Sequence, residues 1–247
     1  MSALRPVAVV TGGSRGIGAA VCRELAARGW SVAVGGSSHM EEAEAVAAGI
    51  RRRGGNAAAY RADVRDRAAL DAMLGDASLR LGPIGALVCC AGVAQQKLFQ
   101  DITDEDWDRM FDINIKGVYR SIQAALPYLM KRERSRIVTF SSMWGQVGAS
   151  CESHYAASKG AVIALTQSLA KELGPSGVRV NCVSPGTILT DMTAVLGQET
   201  LDALAEETPL ERNGSPEDAA RVAAFLCSEA ADFITGQVVA VNGGYIV

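Results

Sequence analysis

Short apolar, β-branched runs alternate with longer alanine-rich stretches of helical period along the whole chain. Val7–Val10, Ser31–Val34, Ala57–Arg61, Ala86–Cys90, Arg136–Ser141, Val178–Val183 and Gln237–Val241 predict seven strands. Helical patterns fall between them near 16–28, 40–53, 66–80, 103–132, 154–173 and 216–228. Strand then helix, repeated, predicts right-handed βαβ units and a parallel sheet covered on both faces. No linker, internal repeat or low-complexity tract interrupts the pattern, so residues 1–247 are expected to form a single α/β domain. The one long irregular stretch, Ser184 to Gly214, contains Pro185, Pro209 and several threonines. It is expected to be a functional loop, because ligands of such sheets bind beyond the carboxyl ends of the strands.

Composition narrows this picture. The chain is 49% hydrophobic and 21% charged but only 5% aromatic, and small residues dominate. That balance favours helices packed closely on a parallel sheet over an all-β sandwich. A net charge of −3 lacks the basic excess of a nucleic-acid binder. No apolar run approaches the roughly 20 residues that span a bilayer, so no membrane partner is expected. Met1 to Pro6 lead straight into the first strand pattern, without the layout of a signal peptide, and a cytoplasmic location is expected. Six cysteines without a Cys-x-x-Cys, and only two histidines, predict small reduced core thiols and no metal site.

Candidate chemistry begins after the first strand, where Gly12, Ser14, Arg15, Gly16, Ile17 and Gly18 lead into a helix. Glycines there permit a tight turn and close backbone approach to a pyrophosphate, and the helix N-terminus offers it free N–H groups. The second strand runs into Gly35-Gly36-Ser37-Ser38, with no carboxylate to accept a ribose 2′-hydroxyl. With Arg15 as a cation, and Ser37 and Ser38 as hydroxyl donors, a 2′-phosphate is better served, so NADP(H) is favoured over NAD(H).

Tyr155 and Lys159 stand four apart at the start of a helical pattern, which puts both on one helix face. A phenol with a pKa of about 10 is a poor base at neutral pH, and a neighbouring ammonium should lower that value. Ser142 follows the fifth strand, where its hydroxyl can hydrogen-bond a reacting oxygen as charge develops. Tyr-x-x-x-Lys alone is a weak signal; joined to the glycine loop and that serine it is a strong one.

With these landmarks the chain resembles the short-chain dehydrogenase/reductase family over essentially its whole length. The matching residues are the Thr11–Gly18 loop, Asp63-Val64, Ala91-Gly92, Asn114, Ser142, Tyr155 with Lys159, Pro185-Gly186 and Asn242-Gly243-Gly244. The resemblance implies a single-domain Rossmann fold with a seven-stranded parallel sheet. It implies that Tyr155 is the general acid/base, Ser142 positions the carbonyl, and Lys159 also holds the nicotinamide ribose. Asn114 would order a water of the proton relay, Asp63 and Val64 would contact the adenine, and Ile188 and Thr190 the nicotinamide carboxamide. The backbone of Cys90, Ala91 and Gly92, together with Pro185 and Gly186, would line the cofactor. Relatives pair the helices near 103–132 and 154–173, which implies a homotetramer built as a dimer of dimers. One departure stands out: Cys89-Cys90 replaces a common Asn-Asn, removing an amide that ties strands together.

The chain as a whole resembles reductases of 3-oxoacyl groups on acyl carrier protein. The segment from Ser141 to Glu152, which includes Trp144, is instead similar to the reductase of 5-aminopentanone-modified elongation factor P. The substrate is thus expected to be a ketone, either a small molecule or one tethered to a carrier or protein. The turn Gly174-Pro175-Ser176-Gly177 is neutral, with nothing to attract an acidic carrier, and Glu152 is placed to recognise a cationic tail. An alternative of another class is an idle NADP(H)-sensing module. Such a module should have lost one of Asn114, Ser142, Tyr155 and Lys159, and all four are present.

Overall fold

The computed structural model describes residues 5–247, so the Met1–Leu4 lead-in lies outside the described residues. Seven strands, β1 (Val7–Thr11), β2 (Ser31–Gly36), β3 (Ala57–Arg61), β4 (Ile84–Cys89), β5 (Ser135–Phe140), β6 (Val178–Pro185) and β7 (Val238–Val241), form one parallel sheet. Their order is β3-β2-β1-β4-β5-β6-β7. The chain moves outward from β1 to β3, then returns to the other side of β1 as β4. This reversal opens a crevice at the carboxyl ends of β1 and β4, the place where such sheets bind dinucleotides.

Helices cover both faces. On one lie α1 (Gly16–Ala27) and α2 (Met40–Arg52); on the other lie α3 (Arg67–Arg80), α4 (Asp104–Phe111) and α5 (Gly117–Leu129). Two short helices follow in different settings: α6 (Trp144–Val147) precedes the long α7 (Ser153–Leu173), and α8 (Asp191–Ala194) precedes α9 (Gln198–Glu207). The last helix, α10 (Pro216–Leu226), packs beside α1. Strand alternation divides the core in two. Val7 and Val9 point to the layer under α3, α5 and α7, while Ala8 and Val10 point to the layer under α1, α2 and α10. Ala219, Ala220, Ala223 and Ala224 are all buried, and their small volume lets α10 approach α1 and the sheet closely.

Several helix starts are encoded locally. The Asp66 carboxylate accepts from the N–H groups of Ala68 and Ala69, and Thr103/Asp106 and Ser215/Asp218 form capping boxes.

Three of the departures from the sequence expectation have a local physical reason. β4 begins at Ile84, because Gly85 is no interruption: a Cβ there would crowd Trp30 and Pro6, so the bare backbone is what fits. The helix expected over 103–132 is broken by a wide π turn at Asp112–Lys116. The expected 184–214 loop contains α8 and α9, because Leu201 of the amphipathic Gln198–Glu207 segment is buried against the body of the protein. No helix among the described residues is long and apolar enough to cross a membrane.

Candidate active site

The glycine loop is shaped for close approach. Gly12 has a φ of +66°, and a Cβ on it would come within 2.6 Å of the Ala91 nitrogen. The loop is thereby pressed against the end of β4. α1 then opens with no acidic residue in its first turn and no side-chain cap, leaving its N-terminal N–H groups available to an anion. Ser14 lies beside Gly36 at the end of β2, so the loop and Ser37-Ser38 border one groove. The Arg15 guanidinium stands 3.8 Å from the Asp191 carboxylate on α8, an exposed contact. Asp63 is engaged by Arg65, whose Nη2 donates to it at 2.7 Å and holds the carboxyl below its usual range. Val64 is buried against Gly117.

Deeper in the crevice, one small cavity is lined by Ile17, Cys90, Gly92, Ser142, Tyr155 and Lys159 on one side. Pro185 and Gly186, expected to line the cofactor, and Ile188 and Thr190, expected near the nicotinamide, also line it. Lys159 is buried, and its ammonium donates to the Phe140 carbonyl at 3.0 Å, its one protein acceptor among the described residues. An ammonium has three donors. A buried Lys159 with one of them used suits the diol of a ribose, and this, with the uncapped α1 and the bare Gly12, fits a dinucleotide.

Tyr155 and Lys159 do share a helix face, with the ammonium 5.7 Å from the phenol ring centre. Burial dominates the electrostatics of both groups. Burial pushes the Tyr155 phenol up to about 12, a shift that Ser142 opposes and Glu152 reinforces. Burial also pushes Lys159 down to about 8. Desolvation is thus the largest cause of both shifts. The result is a tyrosine that keeps its proton at neutral pH.

Asn114 sits in the π turn and is fully buried. Its Oδ1 accepts from the Val93 N–H at 2.8 Å, and its Nδ2 donates to the Val93 carbonyl at 2.9 Å and to Ser158 at 3.1 Å. Asn114 thus clamps the chain just beyond β4 from the helical side. The thiols of Cys89 and Cys90 are both pushed well up by burial, which leaves them protonated packing residues.

The crevice opens into a larger cavity of about 630 Å³. Trp144, Met192 and Leu204 give it apolar walls, and Glu152 is the sole carboxylate among its described lining residues. Glu152 precedes α7 but makes no capping bond; instead its carboxylate accepts from Gln96 at 3.2 Å, and burial raises its pKa. Three contributors escaped sequence reading. Gln95 lines the cavity and is held by Asp106, which also accepts from Lys97. His154 Nε2 lies 3.0 Å from Gln95 Oε1, which requires the proton on Nε2. Tyr245 meets Trp144 edge-on at 5.9 Å. Only long-range contacts reveal these, and the residues carry no local motif.

Comparison with known proteins agrees with this geometry. Residues 12–246 match the family described as Enoyl-(Acyl carrier protein) reductase. The chain is 39% identical to 3-oxoacyl-(acyl-carrier-protein) reductase FabG of Staphylococcus aureus over 237 residues, 96% of each chain. It is 40% identical to the FabG reductase of Aquifex aeolicus over 239 residues, again 96% of each. Among solved structures it resembles a short-chain dehydrogenase/reductase (glucose/ribitol dehydrogenase) from Brucella melitensis. There the TM-score is 0.91 at 38% identity, covering 98% of this chain and 97% of that one. A dehydrogenase/reductase from Sinorhizobium meliloti superposes with a TM-score of 0.94 at 35% identity, covering 100% and 97%.

Proposed function

The chain belongs to the short-chain dehydrogenase/reductase family of oxidoreductases, and on that premise we propose that it reduces a ketone with NADPH, using Tyr155 as the proton donor. The observation that carries this reading is the meeting of Ser142, Tyr155 and Lys159 where the dinucleotide crevice opens into the 630 Å³ cavity. NADPH, when bound, supplies the hydride. Tyr155 is neutral at physiological pH, since burial holds its phenol near 12, and so it has a proton to give the carbonyl oxygen. Ser142 offers a second hydrogen bond to that oxygen as charge builds on it. Lys159 has donors left to hold the ribose in register. The preference for NADP(H) over NAD(H) is supported by Gly36-Ser37-Ser38, where a carboxylate would otherwise stand.

For substrate, the similarity to the FabG reductases supports a 3-oxoacyl group carried by acyl carrier protein. A second reading, the aminoketone borne by modified elongation factor P, is favoured by one observation: among the described residues, the only carboxylate lining the cavity is Glu152, half-buried and making no capping bond. The same reading takes the protein to work in the cytoplasm as a homotetramer. Supporting that assembly, Trp107 and Tyr119 on α4 and α5, and Phe233 and Val247 near the C-terminus, are left exposed.

Loss of NADPH absorbance with a 3-oxoacyl thioester, and separately with a primary-amine ketone, tests both readings. Turnover of the thioester is expected, falling about 10²-fold or more in Tyr155→Phe while NADPH binding is retained. Activity surviving in Tyr155→Phe would sink the assignment. Faster turnover of the aminoketone, lost selectively in Glu152→Gln, would move the substrate to the second reading.

A further inference from the structure

A chain of hydrogen bonds behind the larger cavity fixes one amide by its polarity. Gln95, in the segment that follows β4, lines that cavity together with Ser142 and Tyr155. Its Nε2 donates to Asp106 Oδ1 on α4 at 2.9 Å, and its Oε1 lies 3.0 Å from His154 Nε2 on α7. The Asp106 end can only accept. Lys97 donates to its other oxygen at 2.6 Å and the Thr103 N–H at 3.1 Å, and these bonds, with that of Gln95, hold the carboxyl well below its usual range. The amide nitrogen must therefore face Asp106, and the amide oxygen must take its hydrogen from the imidazole. His154 is fully buried and immediately precedes Tyr155, so Gln95 is anchored to the turn of helix that carries the phenol. An amide nitrogen has two hydrogens to give. One goes to Asp106, and the other has no protein acceptor among the described residues. Hydroxyls in the cavity rotate to suit their surroundings, whereas this N–H is fixed in direction before any substrate arrives.

We propose that Gln95 is a specificity-determining residue that donates this second amide hydrogen to a further carbonyl oxygen of the substrate, close to the ketone that Tyr155 protonates. His154 is then a positioning residue, acting through Gln95. The assignment rests on the ketone-reductase reading, and its test separates the two. Two ketones are compared with NADPH: a 3-oxobutanoyl thioester of N-acetylcysteamine, and the matching thioether in which the thioester carbonyl is a methylene. The intrinsic reactivities of the two ketones cancel when variants are compared with the unaltered protein. Gln95→Leu keeps the bulk and loses the amide. It should lower the ratio of kcat/KM for the thioester to that for the thioether about fivefold, the worth of one neutral hydrogen bond. His154→Leu, which frees the amide to turn, should lower the ratio in part, and His154→Gln, which keeps a donor for Oε1, should restore it. NADPH binding, followed by fluorescence titration, should stay within about twofold in all three and so report an intact fold. An unchanged ratio in a Gln95→Leu protein that binds NADPH overturns the assignment and leaves the ketone-reductase reading standing. Should Gln95→Leu fail to bind NADPH, the His154 pair decides: the ratio must fall in His154→Leu and return in His154→Gln, and any other pattern overturns the assignment. If the unaltered protein reduces neither ketone, the reading and the assignment fall together.

Discussion

Burial acts on Tyr155 and Lys159 in opposite directions, because it disfavours whichever form is charged. The phenol is pushed up to about 12 and the ammonium down to about 8. For Lys159 the consequence for stability has a definite sign. Below about pH 8 the lysine is charged in both folded and unfolded chains, and the folded protein bears the whole cost of burying that charge. Between about 8 and the ordinary 10.5 the unfolded chain holds a proton that the folded one has released, so stability rises with pH across this window. Lys159→Met should therefore be inactive yet more stable at pH 7, by up to about 3 kcal/mol. Its advantage should shrink toward pH 10. Urea unfolding of both proteins at pH 7 and pH 10 measures this, and a less stable Lys159→Met at pH 7 would refute it. The spacing of the pair was legible in the sequence, but the direction of its titration was not. Only the folded core, with the Phe140 carbonyl as lone acceptor, sets how dry Lys159 is.

At the scale of elements, the segment carrying α8 and α9 is tied down by the C-terminal tail. The Leu210 N–H donates to the Gly243 carbonyl at 3.2 Å, and Gly244 lies against Pro209. Tyr245 spans the gap between two cavity walls: its hydroxyl donates to Glu207 at the end of α9, and its ring meets Trp144 on α6. Tyr245 is thus a positioning residue for α9. Tyr245→Phe removes the hydroxyl bond and keeps the ring, so KM for the ketone should rise several-fold, in line with a net hydrogen-bond value of about 1 kcal/mol. kcat and Tm should be nearly unchanged. Steady-state kinetics decides, and an unaltered KM with reduced kcat would contradict the role. Helices α3, α4 and α10 announced themselves through local caps at Asp66, Thr103 and Ser215. α9 did not, because Gly197 precedes it without a capping side chain and only Leu201 of the helix is buried.

For the molecule as a whole, the strand order puts the end of β1, the end of β4 and the start of α7 around one crevice, so the residues proposed to hold cofactor and substrate converge from distant parts of the chain. The exposed Trp107, which stacks on Phe111, and the exposed Tyr119 sit on the helices expected to pair between subunits. Sizing chromatography with light scattering should give four times the chain's 25.8 kDa. A monomer at micromolar concentration would refute the tetramer. The alternation of strands and helices, the glycine loop and the Tyr155/Lys159 spacing were set by the sequence alone, because each depends on neighbours within a turn or a short run. The tertiary structure alone decided that Asn114 clamps Val93, that Glu152 faces the cavity uncapped, and that Arg15 turns to Asp191. Those contacts join residues held together only by sheet register and packing, and the dryness that orders the pKa values exists only once the layers have closed.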